Sequence, residues 1–512
     1  MIMRNLGVLS SWLTNRSFST NKSNVLVYNC RTKTKEPLKC NKLLTWYVCG
    51  PTVYDSMHIG HASCYVKFDI IRRILENYFQ LSVFQVMNIT NVDDKIISKA
   101  RALKMDPLQL ARNYEVEFIE DINLLNIKQP DIIARVTDFI PQVLDFIQNL
   151  FDKDLVYSAD DGSLFFDTTK YKRYGKIFKV PEVVPHTFKR SSLDFALWKA
   201  SKPGEPSWDS SWGPGRPAWH IECSAIASHY FGSSIDIHSG GIDLLFPHHE
   251  NEEAQCCAHH SVNDWVKYWI HTGHLHVGDN IKMSKSLMNT ISVKELLNSY
   301  TANQFRTLCL LSNYKNDLEF NDSSMDVACG VLKKFDSFIA NCYAHLNTYN
   351  NNSEHISDTT LLKKICDIEN DILVNLADNF NTSKALNLLI ELINNFNKLL
   401  TVDFHFNCSK LEVIQALNLV IKTLESFGID LATLKFKSDA ENNLVIDITV
   451  NFRAKLRQLA LQSKSEITKK DIFTLCDTLR DQLSLANVIV QDSKTSSIWR
   501  HEKVTKIQAK EN

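Results

Sequence analysis

The chain has 512 residues, 44% hydrophobic and 22% charged, with a net charge of −1. That length predicts three or four domains at roughly 100–200 residues each, and the balanced charge argues against a protein living by non-specific attraction to nucleic acid, leaving only a local basic surface open. No apolar run approaches the roughly 18 residues of a membrane span. The 13 cysteines show no Cys-x-x-Cys spacing. A large chain needs no disulfide staples, so they read as reduced thiols, with one or two as metal-ligand candidates.

The first acidic residue is Glu36; before it stand Arg4, Arg16, Lys22 and the run SSWLTNRSFSTNKS. An acid-free, Arg- and Ser-rich start is the pattern of a mitochondrial transit peptide, expected here over residues 1–22, with the mitochondrial matrix as destination. Next, Leu43–Cys49 is a short apolar run ending at Gly-Pro, a predicted strand. Residues 60–79 place Val66, Ile70, Ile71, Ile74 and Leu75 at helical spacing, and 81–89 is β-branched and aromatic. Strand, helix, strand predicts a parallel sheet, whose ligands sit beyond the carboxyl ends of the strands. Cys49 and Thr90 fall at two such ends.

Residues from about 120 to 205 break the rhythm and read as an insertion, with a strand at 163–167. Residues 202–217 are rich in Gly, Pro, Ser and Trp, as loops are. A strand at 233–241 and a helix from His248 resume the sheet, and a segment over 265–276 precedes the loop GDNIKMSKS. After about 325 the pattern becomes helical with a period near 3.6 residues. A charged stretch near 435–443 separates a last module, basic at its end.

Three constellations carry chemistry. His58 and His61 lie three apart at a helix start, on one face. The helix end offers free N–H groups to phosphate, and Gly60 admits close backbone approach. Lys282-Met283-Ser284-Lys285-Ser286 is a cationic loop able to close on a triphosphate; read alone, it is equally a solvated surface loop. His248 and Glu252, four apart on one helix face, with Cys49 and Cys223, offer imidazole, carboxylate and two thiolates, a set that suits zinc. Their wide sequence separation leaves a buried thiol and a solvated helix end open as alternatives.

His-Ile-Gly-His followed by Lys-Met-Ser-Lys-Ser on such a scaffold resembles class I aminoacyl-tRNA synthetases. YVCGPTVYDSMHIGHA, NITNVDDKI, DFALWKASKPGEPSWDSSWGPGRPAWHIECSAIA and GGIDLLFPHHENE resemble the cysteinyl-tRNA synthetases, from about residue 25 to 500. The resemblance implies an α/β fold: a Rossmann-like catalytic domain over 23–325, with the insertion at about 120–205 and the lysine-loop region at about 266–325. A helical bundle (326–434) and a small anticodon-binding module (435–512) follow. It implies one zinc ion held by Cys49, Cys223, His248 and Glu252, facing the substrate thiolate. It implies catalytic roles for His58, His61, Lys282 and Lys285, and ATP contacts, with Mg²⁺, from these four and Gly60, Gly241 and Asp243. Cysteine would meet Gly50, Thr90, Trp219 and His248, and the anticodon of tRNA(Cys) would meet Phe473, Asp477 and Asp492. No membrane and no obligate protein partner are implied.

Met288 and Ala218 stand where the family usually has glycine. Some members carry a pyridoxal-phosphate-dependent persulfide-forming side activity on lysines; Ser98 replaces one of these, while Lys95, Lys99, Lys282 and Lys285 remain. Two rival readings are a cysteine ligase acting on an amino sugar and a catalytically inactive RNA-binding paralogue. The first would not need the region after 325, and the second is disfavoured by intact His58, His61, Lys282 and Lys285.

Overall fold

The structure, a computed structural model, describes residues 25–39, 43–180, 189–277, 281–282, 290–348, 359–400, 406–432, 440–462, 466–485, 488–492 and 497–501. A hairpin of β1 (Leu26–Asn29) and β2 (Thr34–Pro37) leads into β3 (Leu43–Val48), α1 (Ile59–Asn77) and β4 (Ser82–Ile89). Helices α2 (Asp94–Leu103) and α3 (Pro107–Leu124) precede the edge strand β5 (Ile132–Arg135) and helix α4 (Ile140–Asp152). Four short strands form an antiparallel sheet: β6 (Val156–Ser158), β7 (Leu164–Phe166), β8 (Phe195–Ala200) and β9 (Gly215–Pro217). The chain returns through α5 (Trp219–Phe231), β10 (Ile235–Gly241), α6 (Glu250–His260) and β11 (Val266–Thr272).

The main sheet has five strands in the order β11-β10-β3-β4-β5, all parallel. The chain builds outward from β3 through β4 to β5, then restarts at β10 on the other side of β3. The direction reverses between β3 and β10, which makes that crevice the topological switch point, where ligands of open α/β sheets bind.

Alternation along β3 decides what faces the site. Leu44, Trp46 and Val48 join the core under α1. Tyr47 and Cys49 join the opposite core, with α5, α6 and the antiparallel sheet. A strand's period of two therefore sends Cys49 to the α5–α6 side. Register supports this: His238 of β10 lies beside Tyr47, and the Cys49 amide donates to the Ser239 carbonyl at 3.0 Å.

The antiparallel insertion begins and ends later than the expected 120–205. Residues 132–135 belong to the parallel sheet as β5, paired with β4, and the last insertion strand reaches Pro217. β5 has only four residues, one of them exposed Arg135, so its pattern is too short to read as a strand. The Gly/Pro-rich stretch hides β9 for the same reason. The segment expected over 265–276 is two strands, because it turns at Gly273. A β-carbon there would meet the Asn316 carbonyl at 2.3 Å, so only glycine admits the approach. Beyond the turn, β12 (Leu275–Val277) pairs with β13 (Ile281–Lys282) and, across α7 (Val293–Ser299) and α8 (Ala302–Leu310), with β14 (Leu318–Phe320).

The helical region comprises α9 (Asp322–Thr348), α10 (Thr359–Ala377), α11 (Thr382–Asn397) and α12 (Lys410–Ser426), which share a core with α1. The last module adds α13 (Ala440–Gln462), α14 (Glu466–Leu485) and the hairpin of β15 (Val488–Asp492) and β16 (Ser497–His501). Among the described residues, no helix is long and apolar enough to cross a membrane.

Candidate active site

At the switch point the turn after β3 is locked to the end of β4. The Gly50 amide donates to Asn88 Oδ1 at 2.8 Å, and a β-carbon on Gly50 would lie 1.7 Å from the Asn88 carbonyl oxygen. The Thr90 amide donates to the Pro51 carbonyl and the Val53 amide to that of Thr90, both at 3.1 Å. The Gly50–Pro51 turn and Thr90 are thereby tied side by side at the adjoining ends of β3 and β4. The buried Thr90 hydroxyl donates to Glu222 Oε2 at 2.9 Å.

Directly beneath lies a ligand-like cluster. Cys49 and Cys223 place their sulfurs 3.9 Å apart, Cys49 Sγ is 3.7 Å from Glu252 Oε1, and His248 Nε2 is 3.0 Å from the same oxygen. One donor atom from each of the four residues falls within 4.8 Å of every other, and all four are buried. Tetrahedral zinc with Zn–S bonds of about 2.3 Å requires sulfurs about 3.8 Å apart. The donors fit that ion in type and spacing. Cys49, Glu252, His238 and His249 form a second set of the same spread. The first set has two soft thiols, which zinc prefers. With the first set as ligands, His238 and His249 would be its outer supports: His238 Nε2 bonds Glu252 Oε2 at 2.9 Å, and His249 Nε2 lies 3.4 Å from Cys49 Sγ. His271 Nε2 backs His249 Nδ1 at 2.7 Å, and His220 backs His248 Nδ1 at 2.9 Å. Such outer partners orient ligands and fix their tautomers.

The buried acids and bases of the cluster hold one another in their charged forms. Burial alone would push Glu252 up, yet His238 and His248 hold its carboxyl down at about 2. Burial would lower His248, but the Glu252 charge raises it to about 10. Burial also raises thiols, but the bond from the Cys49 thiol lets Cys223 ionise first, at about 6. Burial and the neighbouring His238 push His271 down to about 3, against a weaker upward pull from Glu252. Trp219 stacks on His248 with centroids 4.4 Å apart and stays 38% exposed.

The start of α1 follows the β3 turn in the chain. His58 is the N-cap of α1, its Nδ1 accepting from the His61 amide at 3.4 Å, and the two rings stack 3.9 Å apart. Gly60 sits between them in the first turn. The lysine loop connects to this helix end at its far side. The Ile59 amide donates to the Ile291 carbonyl at 2.9 Å and the Val293 amide to that of Met57 at 3.2 Å. Lys282 lies in β13 opposite His276; Lys285 and Met288 lie outside the described residues. Gly241 ends β10 and Asp243 follows in a 3-10 turn, its carboxylate folded over Gly241. Lys99 is committed to Asp55 at 2.7 Å, and Lys95 lies over the Tyr54 ring.

Phe473 and Asp477 lie one turn apart on α14, far along the chain from this cluster. Asp477 meets Arg480 at 3.1 Å, and Asp492 is taken up by buried Arg453 and by Arg457. Sequence reading missed His220, His238, His249, His271, Glu222 and Glu250. Only the doubled histidine before Glu250 offered a signal; His220 and Glu222 share α5, and His238 and His271 are single residues on separate strands.

The five-stranded parallel sheet, with its ligand crevice and α1 N-terminus, defines a class I aminoacyl-tRNA synthetase fold. Residues 35–330 match the family model of the tRNA synthetases class I (C) catalytic domain. The chain is 37% identical, over 94% of its length and 90% of the relative's, to the probable mitochondrial cysteine–tRNA ligase of Xenopus tropicalis. It is 36% identical to the cytoplasmic cysteine–tRNA ligase of Dictyostelium discoideum, covering 94% of this chain and 78% of that one. It is 37% identical to the cysteine–tRNA ligase of Thermococcus onnurineus, covering 93% and 99%. The chain belongs to the cysteine–tRNA ligase family. Its fold is also similar to a Mycobacterium tuberculosis methionyl-tRNA synthetase, at TM-score 0.55 and 14% identity over 76% of this chain and 90% of that one.

Proposed function

We propose that this cysteine–tRNA ligase attaches L-cysteine to tRNA(Cys) in mitochondria, selecting the amino acid through one zinc ion. What supports the reading is the buried quartet Cys49, Cys223, His248 and Glu252, with Cys49 at the end of β3 and His58 capping α1, the next helix in the chain. Zinc bound by that quartet would supply a soft Lewis acid that prefers a thiolate to the hydroxyl of serine. Shape alone separates such near-isosteres by only about 1–3 kcal/mol.

The protein's own groups divide the remaining work. Gly50 and Thr90 flank the amino acid, Trp219 covers it, and His248 orients it. The cysteine carboxylate oxygen attacks the α-phosphorus of ATP, the bond to the bridging oxygen breaks, and pyrophosphate leaves. His58, His61, Lys282 and Lys285 balance charge on the phosphates, with Mg²⁺ on the nucleotide. Gly60, Gly241 and Asp243 hold the nucleoside end. The terminal ribose hydroxyl of the tRNA then attacks the adenylate carbonyl and AMP departs. No protein nucleophile enters; positioning carries the rate.

Residues 23–325 serve as catalytic domain, 326–434 as bundle and 435–512 as anticodon-binding module. There Phe473 and Asp477 would meet bases, while Asp492 steadies the hairpin through Arg453. The acid-free residues 1–22 support import. The decisive assay is cysteine-dependent ATP–pyrophosphate exchange followed by charging of mitochondrial against cytosolic tRNA. Lys285→Ala lowers exchange at least 100-fold with little change in cysteine binding; wild-type exchange in that variant overturns the assignment. Fusing residues 1–35 to a reporter directs it into mitochondria, and a cytosolic reporter removes the compartment from the proposal.

A further inference from the structure

Glu250 is 1% exposed yet touches none of the groups just described. Its two oxygens accept four backbone N–H groups from one stretch of the insertion. Oε1 takes the amides of Gly175 and Lys176 at 2.7 and 2.9 Å. Oε2 takes those of Ile177 and Phe178 at 2.6 and 3.0 Å. A carboxylate filling its acceptor sites with consecutive amides is a strong, directional fastening in a buried setting. It joins the insertion, a separate antiparallel sheet, to the first turn of α6, the helix that carries Glu252.

The fastened stretch ends at Phe178, whose ring stacks on Phe246 with centroids 5.0 Å apart and planes 24° off. Phe246 is the one residue with extended torsions, φ −139° and ψ 133°, inside the tight turns of residues 245–249. That kink aims the next residues, and His248 emerges from it to stack under Trp219. The same loop makes a second tie, from the Tyr174 hydroxyl to Asn251 Oδ1.

We propose that Glu250 is a positioning residue for the amino-acid pocket: by fastening Gly175–Phe178 it makes Phe178 brace the kink at Phe246, which holds His248 and Trp219 in the pose that receives the substrate side chain. The inference rests on the cysteine-ligating function proposed above. Glu250 itself meets neither substrate nor metal. It converts the insertion from an appendage into a wall of the specificity pocket.

The test uses the full chain carrying Glu250→Gln. Glutamine keeps the size but turns one oxygen into an NH₂ that opposes two N–H donors, so half the fastening becomes repulsive. Three readouts are taken: zinc per chain by elemental analysis, amide hydrogen exchange of residues 175–178, and KM for cysteine against KM for ATP in pyrophosphate exchange. The expected result is zinc still bound, because Cys49, Cys223 and Glu252 keep their places, with at least tenfold faster exchange at those amides and a five- to tenfold rise in KM for cysteine alone. Phe178→Ala, at a position 40% exposed, removes the brace without touching the buried carboxylate; it folds if Glu250→Gln does not, and should raise KM for cysteine similarly. Released amides with an unchanged KM for cysteine overturn the proposal, as does an equal rise in both KM values. Absence of cysteine-dependent exchange in the wild-type chain overturns the underlying function instead.

Discussion

At the scale of single residues, the tightest constraint is Gly50. Its missing side chain is what lets the β3 turn lie against the Asn88 carbonyl. Gly50→Ala should cost at least about 2 kcal/mol in urea denaturation, since the clash is with backbone that has nowhere to move. A second prediction concerns His259, which stacks on Phe146 at 3.9 Å and 8°. Burial lowers its pKa from 6.5 to about 4. The folded state therefore prefers the neutral ring. Its penalty is absent above about pH 6.5 and grows as pH falls from there toward about 4. His259→Phe keeps the stack and deletes the titration, so its melting temperature should fall less than the wild type's between pH 6.5 and 4. Equal slopes would show that other groups dominate acid sensitivity. What sequence could read at this scale was local. His58 and His61 declare themselves because a spacing of three is a helical face. His220, His238 and His271 do not, because each is a lone residue that becomes a neighbour only through the sheet.

At the scale of elements, four segments meet on one guanidinium. Buried Arg306 of α8 bonds Asp69 of α1 at 2.5 Å. It also bonds the carbonyls of Leu125 and Asn126 after α3 and of Phe427 after α12, at 3.1, 2.8 and 3.2 Å. The helix that His58 caps, with His61 in its first turn, is thus pinned to the bundle. Arg306→Met would strand three carbonyls and weaken the partnership of Asp69, at a cost of about 3–5 kcal/mol. The double variant with Asp69→Asn should lose less than the sum of the two, because the sites share one network; simple additivity in chemical denaturation would refute a coupled node. Element identity was legible wherever periodicity ran long: β3, α1, β4 and the bundle helices. Boundaries failed where elements are three or four residues, as at β5 and β9, since so short a run carries no period.

For the whole molecule, the layout follows from where the chain reverses. The module over α13, α14 and the β15–β16 hairpin packs on its own small core of Val450, Val488 and Val490. A chain ending at residue 432 should keep cysteine-dependent pyrophosphate exchange and lose charging of tRNA by at least 100-fold; a truncated chain that charges normally would reassign the module. The proposed zinc site carries a consequence for how the protein comes into being. Cys49 meets Cys223 across 174 residues and Glu252 across 203, so no early local hairpin can gather these donors. Contacts of such long range form late in folding. The two thiols already belong to an extensive apolar core, unlike a zinc finger, whose metal is its core. Zinc uptake during refolding should therefore lag behind the recovery of helix signal. Stripping the ion with a chelator should then leave a folded chain, its melting temperature lowered only by the free energy of the lost binding equilibrium.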